Sequence, residues 1–185
     1  MRILIAGIGN IFQGDDAFGV ETVRRLSELP LPEGVRVVDF GIRSYDLAYA
    51  IMEGYDIVIL VDATPRGEVP GTVYLMELEW GSAGQFGSEG ANAHGLNPVA
   101  VLQMVQSLGG KSGGRIYLVG CEPAVLETEN GELGLSPAVQ AAVPEAIQLI
   151  QSLLNNLICG DHQQAESETL NEEFVPCETT TQEKL

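Results

Sequence analysis

The chain has 185 residues, of which 45% are hydrophobic, and its formal net charge is −17 at pH 7. This length fits one globular domain with a sizeable core, and the negative charge argues against binding to nucleic acid or to an anionic membrane. No apolar run approaches the roughly 20 residues of a membrane-spanning helix, no signal-peptide pattern is visible, and three widely spaced cysteines favour the reducing cytoplasm.

The first half of the chain alternates between strand and helix patterns. We predict strands over 2–7, 35–40 and 57–61, and helices over 17–26 and 45–52, with Ser44 as the cap of the second helix. The third strand is apolar on both faces, which is typical of a central parallel strand with helices above and below it.

The second half continues this order. Residues 71–77 alternate as an antiparallel edge strand does, residues 81–95 form a long polar loop, and a further strand is predicted over 115–119. Asn97-Pro98 and Ser136-Pro137 each begin a helix. The first of these two helices has a buried stripe that we predict from its apolar spacing: Val101, Leu102, Val105 and Leu108.

The order of elements predicts an α/β fold. We expect a single three-layer α/β/α sandwich around a mostly parallel, twisted sheet of five strands, with one antiparallel edge strand. The helical stripe of the last helix ends near Leu157. We therefore place the domain at residues 1–158 and expect residues 159–185, which are acidic and lack a hydrophobic period, to form a disordered tail.

Three side chains of the kind that bind metals lie at comparable positions. Asp16 is in the loop after the first strand, Asp62 ends the third strand, and His94 comes just before a helix. In doubly wound sheets the first and third strands are usually neighbours, so their carboxyl ends would bring Asp16 and Asp62 to one edge. Two carboxylates and an imidazole suit a divalent transition metal with open coordination positions.

Each of these residues also has a purely structural explanation. Asp15 or Asp16 is suited to capping the first helix, Asp62 to binding backbone N–H groups, and His94 to a surface loop. Cys121 is interpreted as a small buried residue, since no histidine or basic residue is near it in sequence.

Two other site classes are disfavoured by the sequence. The Gly7-x-Gly9 pattern is not a dinucleotide-binding loop, because Phe12 replaces the third glycine and the acidic pair would repel a pyrophosphate. The chain has no Gly-x-Ser-x-Gly sequence, so a serine hydrolase is also disfavoured.

The motifs around these residues resemble those of the hydrogenase maturation endopeptidases, and the resemblance covers residues 1 to about 157. The matching motifs of this sequence are Gly7-Ile8-Gly9-Asn10 with Gly14-Asp15-Asp16-Ala17-Phe18-Gly19-Val20, Val61-Asp62-Ala63, His94-Gly95-Leu96, Gly120-Cys121-Glu122-Pro123 and Leu135-Ser136-Pro137. The first motif is quite specific when Asp62 and His94 are in register with it.

The resemblance implies a cytoplasmic peptidase that removes a C-terminal extension from the nickel-loaded precursor of a hydrogenase large subunit. Its metal-contacting residues would be Asp16, Asp62 and His94, the nickel would be presented by the precursor, and no organic cofactor or membrane is involved. We expect a monomer. The sequence departs from the family at two places: the first acid is commonly Glu there, and the family's Asp-Gly-Gly segment is Asp39-Phe40-Gly41 here.

Two alternatives remain open at this point. A signalling receiver module also places acids after its first strand and a phosphate-accepting Asp at the end of its third. The acidic pair here comes late after the strand, and no lysine follows the last strand at Gly120-Cys121-Glu122. The other alternative is a family member that binds a partner without cleaving it.

Overall fold

The structure is a computed structural model that describes residues 1–80, 98–110, 114–126 and 133–169, with side chains described as far as residue 159. The chain divides into two compact units, Met1–Ile150 and Gln151–Leu185. The first unit contains the sheet and the predicted site residues that the structure describes.

Five strands and four α-helices make up the described fold, together with one short 3-10 turn. In chain order they are β1 (Ile3–Ile8), the 3-10 turn (Gly14–Ala17), α1 (Phe18–Leu26), β2 (Val35–Gly41), α2 (Ser44–Met52), β3 (Ile57–Ala63), β4 (Val73–Leu78), α3 (Pro98–Ser107), β5 (Arg115–Cys121) and α4 (Pro137–Thr169). Among the described residues, no helix combines the length and the apolar character that crossing a membrane requires.

The five strands form one sheet in the order β2-β1-β3-β5-β4. All neighbouring pairs are parallel except β4 and β5, so β4 is the antiparallel edge strand that the sequence predicted. The predicted pairing of the first and third strands is also confirmed, with Gly7 opposite Val61. Because β1 and β3 run in the same direction, their carboxyl ends lie at one edge of the sheet.

Helices cover both faces of this sheet. On one face, side chains of β1, β3 and β5 pack against the buried side of α2 and α3, in a cluster that includes Leu60, Leu47 and Val101. On the other face, α1 packs directly on β1, where Val23 and Gly19 come close to Gly7. Every residue of β3 is buried, as its apolar sequence indicated. The predicted three-layer architecture is therefore confirmed.

Several local predictions were wrong in detail. Ser44 does not cap α2: the helix begins at Ser44 itself, after Arg43, with no side-chain cap hydrogen bond there. Leu108 is 40% exposed, because α3 ends at Ser107 and the buried stripe ends with it. The strand β3 runs to Ala63, so Asp62 lies within the strand and is not its last residue.

The C-terminal helix is longer than its hydrophobic stripe. α4 continues through Pro144 and reaches Thr169, past the expected domain end at residue 158. Residues 170–185 lie outside the described residues, so the disordered acidic tail and the domain bounds stay predictions.

Packing is very close where α1 meets the ends of β1 and β3. A Cβ added at Gly19 would lie 2.1 Å from the carbonyl oxygen of Val61 and 2.3 Å from that of Ile8. Both neighbours are backbone atoms of central strands, which cannot move aside without disturbing the sheet.

We expect Gly19→Ala to lower the free energy of unfolding by about 3 kcal/mol, the upper end for overpacked cores, measured by urea unfolding.

Gly54→Ala is the matched control for that substitution. Its Cβ would meet nothing within 4 Å, and only its φ of 81° opposes a side chain, which costs about 1–2 kcal/mol. Equal losses in the two variants would contradict the close packing at Gly19.

Candidate active site

The loop after β1 folds back tightly onto its own end. Gly9 has a φ of 130°, and a Cβ there would lie 1.7 Å from the carbonyl oxygen of Asp16. The Asn10 side chain accepts a hydrogen bond from the N–H of Phe12 at 3.0 Å, which closes the turn. Only glycine therefore allows the backbone to approach Asp16 this closely.

Asp16 lies in the 3-10 turn and its carboxylate faces this loop. The N–H of Asn10 donates a hydrogen bond of 2.6 Å to Asp16 Oδ2. Partial burial raises the pKa of Asp16 above its usual value, and the Asn10 hydrogen bond opposes that rise. The alternative that Asp16 caps the helix is not what the structure shows, since neither the 3-10 turn nor α1 has a side-chain cap hydrogen bond.

Asp62 is the most deeply buried of the predicted site residues that the structure describes, with only 3% of its surface exposed. Burial raises its pKa well above the usual value, and the negative charge of Asp16 raises it further. The N–H of Ala63 offsets part of this rise. In the described part of the chain, Asp62 Oδ1 has no hydrogen-bond partner. The two carboxylates are thus brought together, as their positions after β1 and within β3 predicted.

His94 lies outside the described residues, so its place beside the carboxylates stays a prediction. Within the residues that the structure describes, no group of three His, Cys, Asp or Glu side chains is arranged to hold a metal ion. Of the three residues expected to contact a metal, the structure therefore describes Asp16 and Asp62 only.

Asp15 has a structural role that differs from the expected helix cap. It is fully buried, and its carboxylate accepts hydrogen bonds from the N–H groups of Ala124 and Val125 at 2.8 and 3.0 Å. It also accepts from the N–H and the hydroxyl of Ser136, at 2.6 and 2.9 Å. Asp15 therefore holds the 3-10 turn against the segment after β5. This structural role replaces the expected helix cap, and Asp16 has no part in it.

Glu122 is a second structural carboxylate, which the sequence places in a family motif without indicating its role. It is 5% exposed and accepts hydrogen bonds from the N–H groups of Arg66 and Gly67, at 2.6 and 3.3 Å. These bonds hold the loop after β3. The available signal was an acid directly after an apolar strand, next to a proline, where backbone donors from a neighbouring loop are close.

Cys121 is fully buried, as predicted. Burial, together with the negative charges of Asp15 and Glu122, raises the pKa of its thiol to about 12. A thiol with this pKa is almost entirely protonated at neutral pH, so Cys121 is not poised to act as a nucleophile.

A groove of about 430 Å³ lies beside the carboxylates, between the loop after β1 and the loop after β2. Its lining includes residues 9–12, Val20 and residues 39–43. Phe12 and Ile42 are more than 60% exposed at its edges. Neither Asp16 nor Asp62 lines this groove, but Asn10 does, and its N–H binds Asp16.

The raised pKa of Asp62 predicts how stability depends on pH in the metal-free protein. The folded chain holds this proton above the unfolded pKa of 3.8, so unfolding releases it. The contribution of Asp62 is therefore most favourable below about pH 4, and stability falls as pH rises toward the folded pKa. We expect Asp62→Asn to be more stable than the wild type at pH 7, with a difference that vanishes near pH 4.

Urea unfolding at a series of pH values measures this difference. Asp46→Asn, on an exposed carboxylate of α2, is the control and should show no such trend. A loss of stability in Asp62→Asn that is the same at pH 4 and pH 7 would contradict the burial of a protonated Asp62.

Comparison with known proteins gives the family. A family model described as hydrogenase maturation protease matches residues 20–153. The Escherichia coli hydrogenase 2 maturation protease is 31% identical over 156 residues, which cover 83% of this chain and 91% of that protein.

Solved structures give the same result. The Escherichia coli hydrogenase maturating endopeptidase HybD superposes with a TM-score of 0.70 at 30% identity, over 84% of this chain and 93% of that one. The Thermococcus kodakarensis [NiFe] hydrogenase maturation protease HycI superposes with a TM-score of 0.66 at 29% identity, with the same coverage. These matches do not support the receiver interpretation. The chain therefore belongs to the hydrogenase maturation protease family and is a peptidase.

Proposed function

We propose that this peptidase removes a C-terminal extension from the nickel-loaded precursor of a hydrogenase large subunit, in the cytoplasm. The observation that carries the proposal is that the half-buried Asp16, in the turn after β1, lies close enough to the buried Asp62 of β3 to raise its pKa. Membership of the maturation protease family supports the class of substrate.

The electrostatics of the pair favour a cation. Burial and the negative charge of Asp16 both raise the pKa of Asp62, so the two carboxylates are costly to ionise together, and a divalent metal removes that cost. Asp62 Oδ1 has no partner among the described residues and is free to face such a metal. His94 would complete the set, since an imidazole beside carboxylates suits a transition metal better than Mg²⁺ or Ca²⁺.

In this proposal the nickel belongs to the substrate. The precursor brings it, and Asp16, Asp62 and His94 contact it from the side of the peptidase. Nickel held this way would polarise the scissile carbonyl or activate a water molecule. A second version has nickel only as the feature that is recognised, with a carboxylate as the base. Neither version uses a cysteine nucleophile, in line with the raised pKa of the Cys121 thiol.

The groove beside Asp16 is suited to the chain that leads to the cleaved bond. Its lining combines apolar residues, such as Ile11, Val20 and Ile42, with the polar residues Asn10, Asp39 and Arg43. Phe40 stands where the family's Asp-Gly-Gly segment has its middle glycine. Its ring is only 5% exposed and packs in the core, so it leaves the groove open. Gly41, with a φ of 53°, keeps the turn that follows. We therefore assign this groove to the precursor.

Substitution of the metal-contacting residues tests the proposal. We expect His94→Ala and Asp62→Ala each to lower cleavage of a nickel-loaded precursor by at least about 100-fold, since loss of a ligand costs more than loss of its outer-shell support. Intact-mass spectrometry of the precursor measures cleavage, and thermal unfolding checks that each variant is folded.

His162→Ala is the matched control, because His162 is the only other histidine of the chain. It should cleave as the wild type does. Full activity of folded His94→Ala would remove His94 from the site, and a folded wild-type protein that binds the precursor without cleaving it would favour the inactive-member alternative.

A further inference from the structure

Thr64 directly follows β3, two residues after Asp62, and its main chain is fixed on both sides. Its N–H donates a hydrogen bond to the carbonyl of Cys121 at 3.0 Å. Its carbonyl accepts one from the hydroxyl of Tyr74, also at 3.0 Å. The Tyr74 ring lies against Gly120, where an added Cβ would be 2.2 Å from the ring. Thr64 is therefore held in place by both β4 and β5.

The hydroxyl of Thr64 is the part that lacks a partner. In the described ranges, three buried side-chain oxygens have no hydrogen-bond partner: Thr22 Oγ1, Asp62 Oδ1 and Thr64 Oγ1. Other hydroxyls are paired, such as that of Thr72, which donates to the carbonyl of Val69 at 2.7 Å. A buried hydroxyl without a partner costs free energy, so native structures rarely keep one.

Two of these unpaired oxygens lie on the same face of the sheet. Side chains alternate along an extended chain, so those of Asp62 and Thr64 point to the same side. Tyr74 lies on this side too, because Asp62 and Tyr74 are both opposite Gly120 in their strand pairs. An unpaired carboxylate oxygen and an unpaired hydroxyl thus lie two residues apart at the carboxyl end of β3.

We propose that Thr64 contacts the substrate, its hydroxyl donating a hydrogen bond to a main-chain carbonyl of the precursor segment that is cleaved. This inference rests on the proposed function, in which Asp62 faces the nickel and the segment lies beside it. The hydroxyl can always donate, and a peptide carbonyl is the acceptor that every substrate segment carries. Because its backbone is fixed, Thr64 loses little conformational freedom when the segment binds.

Thr64→Val tests this role, because it removes the hydroxyl and keeps the shape of the side chain. We expect kcat/KM for the nickel-loaded precursor to fall roughly three- to tenfold, as for the loss of one hydrogen bond. The thermal midpoint should stay the same or rise, because valine leaves no buried hydroxyl unpaired. Thr64→Ser keeps the hydroxyl and should stay within about threefold of the wild-type kcat/KM.

Thr22→Val is the matched control. Thr22 is fully buried in α1 with an equally unpaired hydroxyl, but it is not part of the site. Its substitution should leave kcat/KM unchanged. A wild-type kcat/KM in Thr64→Val would overturn the proposal, and so would a thermal midpoint clearly below that of Thr22→Val, which would mean that the hydroxyl has a partner inside the protein. Absence of cleavage by the wild type would instead overturn the proposed function.

Discussion

The constraint on which the site depends is the close placing of two like charges, the buried Asp62 of β3 and the half-buried Asp16 in the turn after β1. Burial raises the pKa of Asp62, and the negative charge of Asp16 raises it further. The fold nevertheless holds them together: β1 and β3 pair in parallel, and the Asn10 N–H binds Asp16. Such an arrangement is unfavourable for stability alone, and it becomes favourable when a cation arrives.

Hydrogen bonding distinguishes Asp62 from the structural acids Asp15 and Glu122. Asp15 and Glu122 are buried, and backbone donors satisfy them: they hold the segment after β5 and the loop after β3. Asp62 is buried to a similar extent but keeps an oxygen without a partner in the described part of the protein. Asp15 and Glu122 fix the loops around the site, and Asp62 is the acid that we propose contacts the nickel of the substrate.

Sequence patterns predicted the layers, the antiparallel edge strand and the pairing of β1 with β3, because hydrophobic period and chain order determine these features directly. The role of Asp15 was out of reach, since its partners are 109 to 121 residues away in the chain. The same holds for Thr64, whose unpaired hydroxyl is visible only once Tyr74 and Cys121 are in place. Ser44 was misassigned because serine suits both the cap and the first turn of a helix.

We propose that the carboxylate site recognises nickel carried by the precursor. Intact-mass spectrometry of one large-subunit precursor, prepared with and without nickel and incubated with the wild-type protein, tests this recognition. Only the nickel-loaded form should lose its C-terminal extension. Equal cleavage of both forms, or cleavage of neither, would contradict it.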